Sequence, residues 1–379
     1  MTIEDKSVDT IVIGGGLVGA AMTYGLLRAG QRVIMLDEGD VALRASRGNF
    51  GLVWVSSKGE FMPEYARWSR RSADVWAEFA GELEQDSGIS PAYHKPGGLS
   101  FCLSEDELAR KREQIERMSG YNGNLGYGAE MLDRQQMDEI FPGLGPDVLG
   151  GAYSPHDGHA SPLHLLRALH KAIQIRGGRY VNEATAQTIE KDGTGYAVST
   201  AKGSFRGAQV VLAAGHGNRW LAPMVGLDLP LIPEKGEILV TERARSLMPM
   251  PTHLLRQTAE GTIMMGDSHE DTGYSTASRT SVMSDLARHA IRCFPALAQL
   301  RIVRSWGAVR ILTPDGCPIY QQSQTHPGVF SVNCHSGVTL AGAHALALAP
   351  ALAQGALGPE FDAFHSRRFA NGTVHASAH

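Results

Sequence analysis

The sequence predicts an α/β protein in which a Rossmann-like, dinucleotide-binding domain is interleaved with a mixed α+β domain that would hold a substrate. Three observations predict it. Thr10 to Asp40 reads as strand, glycine turn, helix and a second strand ending in an acid. A further buried strand, Ala208 to Ala214, runs into a glycine at Gly215. Stretches of alternating apolar and polar texture come between and after these, and no Pro- or Ser-rich linker separates them. That pattern suits domains that exchange segments rather than two beads on a string.

Ile11, Val12 and Ile13 form a short apolar run, as in a parallel strand buried on both faces. Gly14, Gly16 and Gly19 then fit G-x-G-x-x-G. The first allows a tight turn, the second lets a pyrophosphate approach the backbone, and the third lets helix pack close on strand. Ala20, Ala21, Tyr24, Leu26 and Leu27 give the next segment an apolar helical face that Gly30 ends. A strand from Arg32 to Leu36 delivers Asp37, where an acid can accept hydrogen bonds from an adenosine ribose. A glycine-rich turn in an unrelated α/β domain would share the glycines but not the whole series. The loop Arg44 to Gly51 is too long for a simple strand connection and can wrap a cofactor. Candidate cofactor contacts here are Gly14, Gly16, Leu17, Val18, Asp37, Glu38, Arg44, Ala45, Ser46, Asn49, Phe50 and Gly51.

Leu52 to Val55 is an apolar run before Ser56-Ser57-Lys58-Gly59. Tyr65, Trp68, Ala73, Trp76 and Phe79 recur at helical spacing and read as core. Gly97 to Leu103 reads as a strand, and Ser104 with Glu107 predicts a capping box at a helix start. Ser161-Pro162 opens another helix with Leu165, Leu166, Leu169 and Ile173 on one face. Tyr180-Val181 begins a strand, and Ala197 to Thr200 suggests a hairpin. The strand into Gly215 is expected beside the first strand, with Ala186, Ala214 and Gly215 as further cofactor contacts. Glu237–Val240, His253–Arg256 and Thr262–Gly266 read as strands and Ser281–Phe294 as a helix. Val329 to Val332 is a last strand, followed by Asn333 to Gly337 and an alanine- and leucine-rich helix expected to begin near Gly337. The expected nucleotide domain comprises residues 1–85, 152–225 and 305–379, and the substrate domain residues 86–151 and 226–304.

The 379 residues, 43% hydrophobic and 20% charged, suit a globular protein with a large core. A net charge of −4 leaves no electrostatic footprint for nucleic acid or an anionic membrane. Cys102, Cys293, Cys317 and Cys334 lie far apart with no C-x-x-C spacing, so neither a disulfide framework nor an Fe–S, zinc or other metal site is expected within the chain. The leader is polar and acidic, unlike a signal peptide. The most apolar helix, Val338 to Leu352, carries His344 and Pro350 and is too short to span a bilayer. These features describe a soluble, cytoplasmic protein.

One strand carries chemistry. In Trp306 to Gly316 (WGAVRILTPDG) an apolar strand bears a single arginine, Arg310, whose planar, always-charged fork suits a substrate carboxylate. A surface arginine paired with an acid such as Asp315 would read the same way.

With these segments together, the chain resembles the FAD-dependent D-amino-acid oxidase family, which includes glycine oxidase, sarcosine oxidase and the flavoprotein subunits of amino-acid dehydrogenases. The likeness covers nearly the whole chain and rests on the opening glycine motif, Val211 to Gly215, the Trp306 to Gly316 segment and the glycine loop before the last helix. RGNFGLVWV with SKG, and VNCHSGVTLAGAHA, look most like the small subunit of bacterial opine oxidases and dehydrogenases, itself related to the sarcosine oxidase β-subunit. The resemblance implies a fold of the glutathione-reductase and D-amino-acid-oxidase type, non-covalent FAD, and Arg310 as the carboxylate-binding residue. It also implies a larger flavoprotein partner with a 2Fe-2S subunit, and leaves room for FMN or a second flavin at a subunit interface. Two departures stand out. Trp306 to Pro314 holds no cysteine for a covalent flavin bond, and His335 stands where several glycine oxidase-like sequences place an arginine.

With a flavin implied, the C-terminal loop gains a role. A reduced flavin carries negative charge at its N1–C2=O edge, which the N–H groups of a helix start at Gly337, Val338 and Thr339 would stabilise. His335 would add a hydrogen bond or charge there, or is an ordinary loop histidine. His253, Arg256 and His269 lie on or after strands of the substrate domain, where each would touch a second charged group or serve the fold. Lys58 would sit by the ring or a second flavin, or is solvated. The expected activity is FAD-dependent cleavage of the C–N bond of an amino- or imino-carboxylate, by hydride transfer to flavin N5. An opine-type secondary amine is the expected substrate. The alternatives are a stand-alone glycine, sarcosine or D-amino-acid oxidase, and a non-catalytic flavin-binding scaffold subunit.

Overall fold

A computed structural model describes residues 7–39, 44–121 and 127–370, so the polar leader through Lys6 lies outside the described residues. Strand β1 (Val8–Ile13) feeds helix α1 (Leu17–Arg28), and β2 (Val33–Leu36) returns beside it. Gly14 takes φ +115°, and a Cβ on Gly19 would lie 1.9 Å from the Gly14 carbonyl oxygen, so the turn requires glycine at both. Then come β3 (Leu52–Val53), α2 (Pro63–Ser87), β4 (Gly98–Cys102), α3 (Glu105–Met118), β5 (Glu130–Asp133) and α4 (Arg134–Ile140). Strands β6 (Gly150–Ser154) and β7 (Gly158–His159) precede α5 (Pro162–Ile175). Strands β8 (Arg179–Val181), β9 (Thr188–Asp192), β10 (Gly195–Thr200) and β11 (Gly203–Leu212) follow. After a short α6 (Asn218–Leu221) lie β12 (Ile232–Arg243), β13 (Leu255–Gln257), β14 (Thr262–Met265) and α7 (Thr280–Cys293). Then come β15 (Ile302–Leu312), β16 (Ile319–Gln322), β17 (Val329–Asn333) and a long helical run over 341–353, followed by short 3-10 turns at Pro359–Phe364 and Ser366–Phe369.

The central sheet runs β16-β17-β11-β1-β2-β8, with β17, β11, β1, β2 and β8 mutually parallel. Ile13 pairs with both Leu36 and Leu212, so three strand ends converge on one edge of the sheet. Ligands of open α/β sheets bind outside such carboxyl ends. Strand β11 is long: its first half joins the β9–β10 hairpin and its second half lies against β1. A second, antiparallel sheet runs β13-β14-β12-β15, and β4-β6-β5 form a third. The expected boundary at residue 305 falls inside β15, which pairs with β12 from Ile302 to Leu312.

Helices α1, α2 and α5 and the last helical run enclose one apolar core around Tyr24, Trp76 and Phe79. The aromatic stripe of α2 is core, as its spacing predicts. Helix α1 meets the last helical run so closely that a Cβ on Gly25 would lie 2.3 Å from the Ala345 carbonyl oxygen. The cap of α3 differs from expectation: Ser104 Oγ accepts from Glu107 N at 3.2 Å, but the Glu107 carboxylate takes the Leu103 N–H at 2.7 Å.

The last helix also differs. Regular helix begins at Ala341 rather than Gly337. Ser336–Leu340 forms a single turn instead, closed by Leu340 N to Ser336 O at 2.9 Å. Thr339 is drawn out of it, its hydroxyl accepting from Trp54 N at 3.0 Å and donating to Leu52 O at 3.2 Å.

Candidate active site

Two adjoining cavities lie over the carboxyl ends of the parallel strands and share Ala45, Val309 and Ile311. The first, about 870 Å³, is lined by Gly14, Gly16, Val18, Asp37, Glu38, Arg44, Ala45, Ser46, Ala214 and Gly215, all expected contacts of a dinucleotide. Asp37 ends β2 and accepts from Gly15 N at 2.7 Å and Gly39 N at 2.9 Å, so it shapes the turn. Each oxygen keeps a lone pair for a ribose hydroxyl. The Leu17 N–H, first of α1, donates to Ser46 Oγ at 2.9 Å. A Cβ on Gly16 would lie 2.8 Å from that same hydroxyl, so glycine leaves the approach to the helix N-terminus open. Arg44 forms an ion pair with Glu38 at the rim.

The second cavity, about 1330 Å³, is lined from both sheets. From the 44–51 loop come Asn49 and Phe50, from the C-terminal turn His335, Val338 and Thr339, and from the antiparallel sheet Arg310. His253, His269 and Lys58 also line it. No hydrogen bond is made by the N–H groups of Val338 and Thr339 among the described residues. The C-terminal turn is set by α2: Trp76 Nε1 donates to Val338 O at 3.0 Å, Ser72 Oγ to Thr339 O at 2.6 Å, and Tyr65 OH to Ser336 Oγ at 2.9 Å. The turn bearing Lys58 is set by buried Asp157, which accepts from Val55 N at 2.7 Å. Burial pushes the Asp157 carboxyl up to about 6.

Arg310 is the centre of a charged chain. Its Nη1 donates to Glu234 Oε1 at 3.0 Å and Ser268 O at 2.7 Å, while its guanidinium lies over Gly236, where a Cβ would lie 2.5 Å from Nη2. Nε and Nη2 make no hydrogen bond among the described residues, so that edge of the fork is available at the cavity. Glu234 also meets His269 at 2.8 Å, and His269 meets Asp267 at 3.3 Å. Hydrogen bonds to Asp267 and then Glu234 lift the His269 imidazole to about 9. Asp267 is held down to about 2: burial raises it, but the His269 hydrogen bond and nearby cations outweigh that.

Other expected contacts fall elsewhere. Arg256 lines neither cavity; it is buried behind the 44–51 loop, donating to Phe50 O and approaching Met264 Sδ at 3.0 Å. It supports the loop that forms the wall. Ala186 packs against the cluster beside β2 and β11 and also lines neither cavity. Gly51 takes φ +97° under Ala160, and Gly337 sits against Val18, where a Cβ would lie 3.6 Å from Cγ2. Neither lines a cavity. Glu234, Asp267, Asp157 and Lys111 are site residues that sequence reasoning missed; each is an acid or lysine in unremarkable surroundings whose partners are distant in sequence.

The paired cavities fit a two-part nucleotide cofactor, one half over the glycine turn and the other against Arg310. The family model for FAD dependent oxidoreductases (DAO) matches residues 9–351. The chain belongs to that family. It is thus an FAD-dependent oxidoreductase, and the fold is the one this family adopts. An opine oxidase subunit of Rhizobium meliloti is 46% identical over 362 residues, covering 96% of this chain and 98% of the relative. The corresponding opine oxidase subunit of Agrobacterium tumefaciens (strain Ach5) is 44% identical over the same shares. Among solved structures, glycine oxidase from Geobacillus kaustophilus superposes with a TM-score of 0.84 at 23% identity, covering 93% of this chain and 96% of that one. No helix among the described residues is long and apolar enough to cross a membrane, and no group of His, Cys, Asp or Glu among them is arranged to hold a metal ion.

Proposed function

We propose that this oxidoreductase cleaves the C–N bond of an amino- or imino-carboxylate, with an opine-type secondary amine (octopine- or nopaline-like) as substrate. Water cleaves the imine to an amino acid and a 2-oxo acid. The observation that carries this reading is Arg310, which lines the cavity adjoining the nucleotide site and whose Nε and Nη2 make no hydrogen bond among the described residues. FAD, held by the residues of the first cavity, would supply at N5 the acceptor for the hydride of the carbon that bears nitrogen.

The chain's residues supply position and charge. Arg310 clamps the substrate carboxylate bidentately through Nε and Nη2, while Glu234 and Ser268 O hold Nη1 so the fork cannot swing away. Gly14, Gly16, Ser46 and the start of α1 would receive the pyrophosphate, and Asp37 the ribose. His335 and the N–H groups of Val338 and Thr339 would stabilise negative charge at the N1–C2=O edge of the ring. Lys58 would stand beside the ring.

Both opine oxidase relatives are single subunits of larger enzymes, which supports a hetero-oligomer. We place this chain beside a larger flavoprotein subunit and a 2Fe-2S subunit, with FMN or a second flavin at their interface. Four buried cysteines, none of them in a disulfide, suit a reducing cytoplasm. An anaerobic screen of amino acids and opines for bleaching of the flavin absorbance tests the activity. Bleaching by an opine at a concentration where sarcosine, glycine and D-amino acids are inert is expected. Bleaching by glycine or a D-amino acid alone would replace the opine reading with that of a stand-alone oxidase.

A further inference from the structure

The substrate cavity does not end at Arg310. It shares Phe101, Lys111 and His253 with an outer, more open chamber, lined also by Glu60, Glu107, Arg110 and Arg117. Arg310 lines the inner cavity alone, whereas Lys111, on α3, lines both.

The charges at the two ends are balanced differently. Arg310 has its counter-ion in Glu234. The Lys111 ammonium has no carboxylate in ion-pair contact among the described residues; its hydrogen-bond acceptor is the neutral Gln114 Oε1 at 2.9 Å. The acid nearest by connection, Glu60, is engaged by Gln114 Nε2 at 2.7 Å and by Arg117. Burial accordingly pushes the Lys111 ammonium below the usual lysine range. A half-buried cation without a counter-ion is costly unless a ligand supplies one. The nearby His253 ring stacks edge-on with Phe101, and its buried Nδ1 finds no partner among the described residues.

We propose that Lys111 is the anchor for the second of the two carboxylates that an opine carries, one on each N-substituent. Arg310 takes one carboxylate in the inner cavity and Lys111 takes the other where the two chambers share their lining. The amino-acid side chain of the substrate then extends into the outer chamber, whose mixed charges suit a polar tail. This assignment rests on the reading of the cavity as an amine-oxidising site.

The test compares a matched pair, N-(1-carboxyethyl)alanine and N-ethylalanine, which differ by one carboxylate. Both are measured with the FAD-loaded enzyme as isolated from cells, as kcat/KM and as Kd by calorimetry. Wild type should favour the dicarboxylate. Lys111→Gln should lower that preference roughly tenfold or more, as expected for a lost charge-assisted hydrogen bond. An unchanged flavin spectrum and urea midpoint show that the fold survives, and Lys111→Arg should retain most of the preference. A wild-type enzyme indifferent to the second carboxylate, or a Lys111→Gln variant that keeps the full preference, overturns the anchor while leaving amine oxidation intact. If wild type oxidises neither amine, the activity reading fails, and the Kd values still decide for or against Lys111. Binding of neither compound overturns both.

Discussion

Arg310 and Glu234 face each other because β12 and β15 pair in a register that places residue 234 opposite 310. Removing the guanidinium should cost about 2–5 kcal/mol in transition-state binding, since a substrate carboxylate would be left unpaired in a partly desolvated site. Steady-state kinetics of Arg310→Ala check this. The flavin spectrum should be retained, and Arg310→Lys should recover only part of the loss because an ammonium lacks the planar fork. An Arg310→Ala protein with normal kcat/KM would remove the residue from the site. The same chain makes a pH prediction. The folded-state value of His269, about 9, lies above the ordinary 6.5, so its stabilisation is complete below pH 6.5 and lost as pH rises through about 9. For Asp267, held at about 2 against 3.8, stabilisation is present above pH 3.8 and lost as pH falls through about 2. The urea midpoint should therefore decline between pH 6.5 and 9, and His269→Gln should flatten that slope; an unchanged slope would show that the imidazole proton is not held by the fold.

At the scale of elements, α2 is both core and scaffold. Its aromatic face is buried, and two of those aromatics also hold the turn that lines the cavity. Trp76→Phe keeps the ring packing but leaves the Val338 carbonyl without that donor. The expected loss is roughly 1–3 kcal/mol of stability, together with weaker flavin retention because the turn loosens. Equilibrium dialysis of the flavin alongside a denaturant curve separates the two effects. Helix α1 allows a second check. With its Cβ position 2.3 Å from the Ala345 carbonyl oxygen, Gly25→Ala must push α1 away from the last helical run. A destabilisation of about 1–3 kcal/mol is expected, read as a lowered urea midpoint, and a neutral result would mean the two helices part easily.

At the scale of the whole molecule, the paired cavities are lined from both the parallel sheet and the antiparallel one, so on the proposed reading cofactor and substrate would meet between the two layers. Denaturing the protein should release FAD, identified by chromatography, and Asp37→Ala should weaken its retention; release of NAD instead would overturn the cofactor assignment. The sequence by itself determined the glycine turn, the parallel order around β1 and the core face of α2, and it singled out Asp37 and Arg310 as candidates. Those features are local: a turn needs particular residues at particular spacings, and periodicity marks the buried face of a helix or strand. The tertiary structure decided the partners. Asp315, an acid close to Arg310 in sequence, instead meets Arg368 at 2.7 Å, while Glu234 reaches Arg310 through strand register. Arg256, which by sequence would touch a second charged group or serve the fold, lies behind the Phe50 loop. Lys111 gave no local signal, because its role depends on α3 folding over the mouth of the cavity and on Glu60 being engaged elsewhere. Spacing along the chain decides backbone conformation, but which charges meet depends on how sheets and helices are stacked.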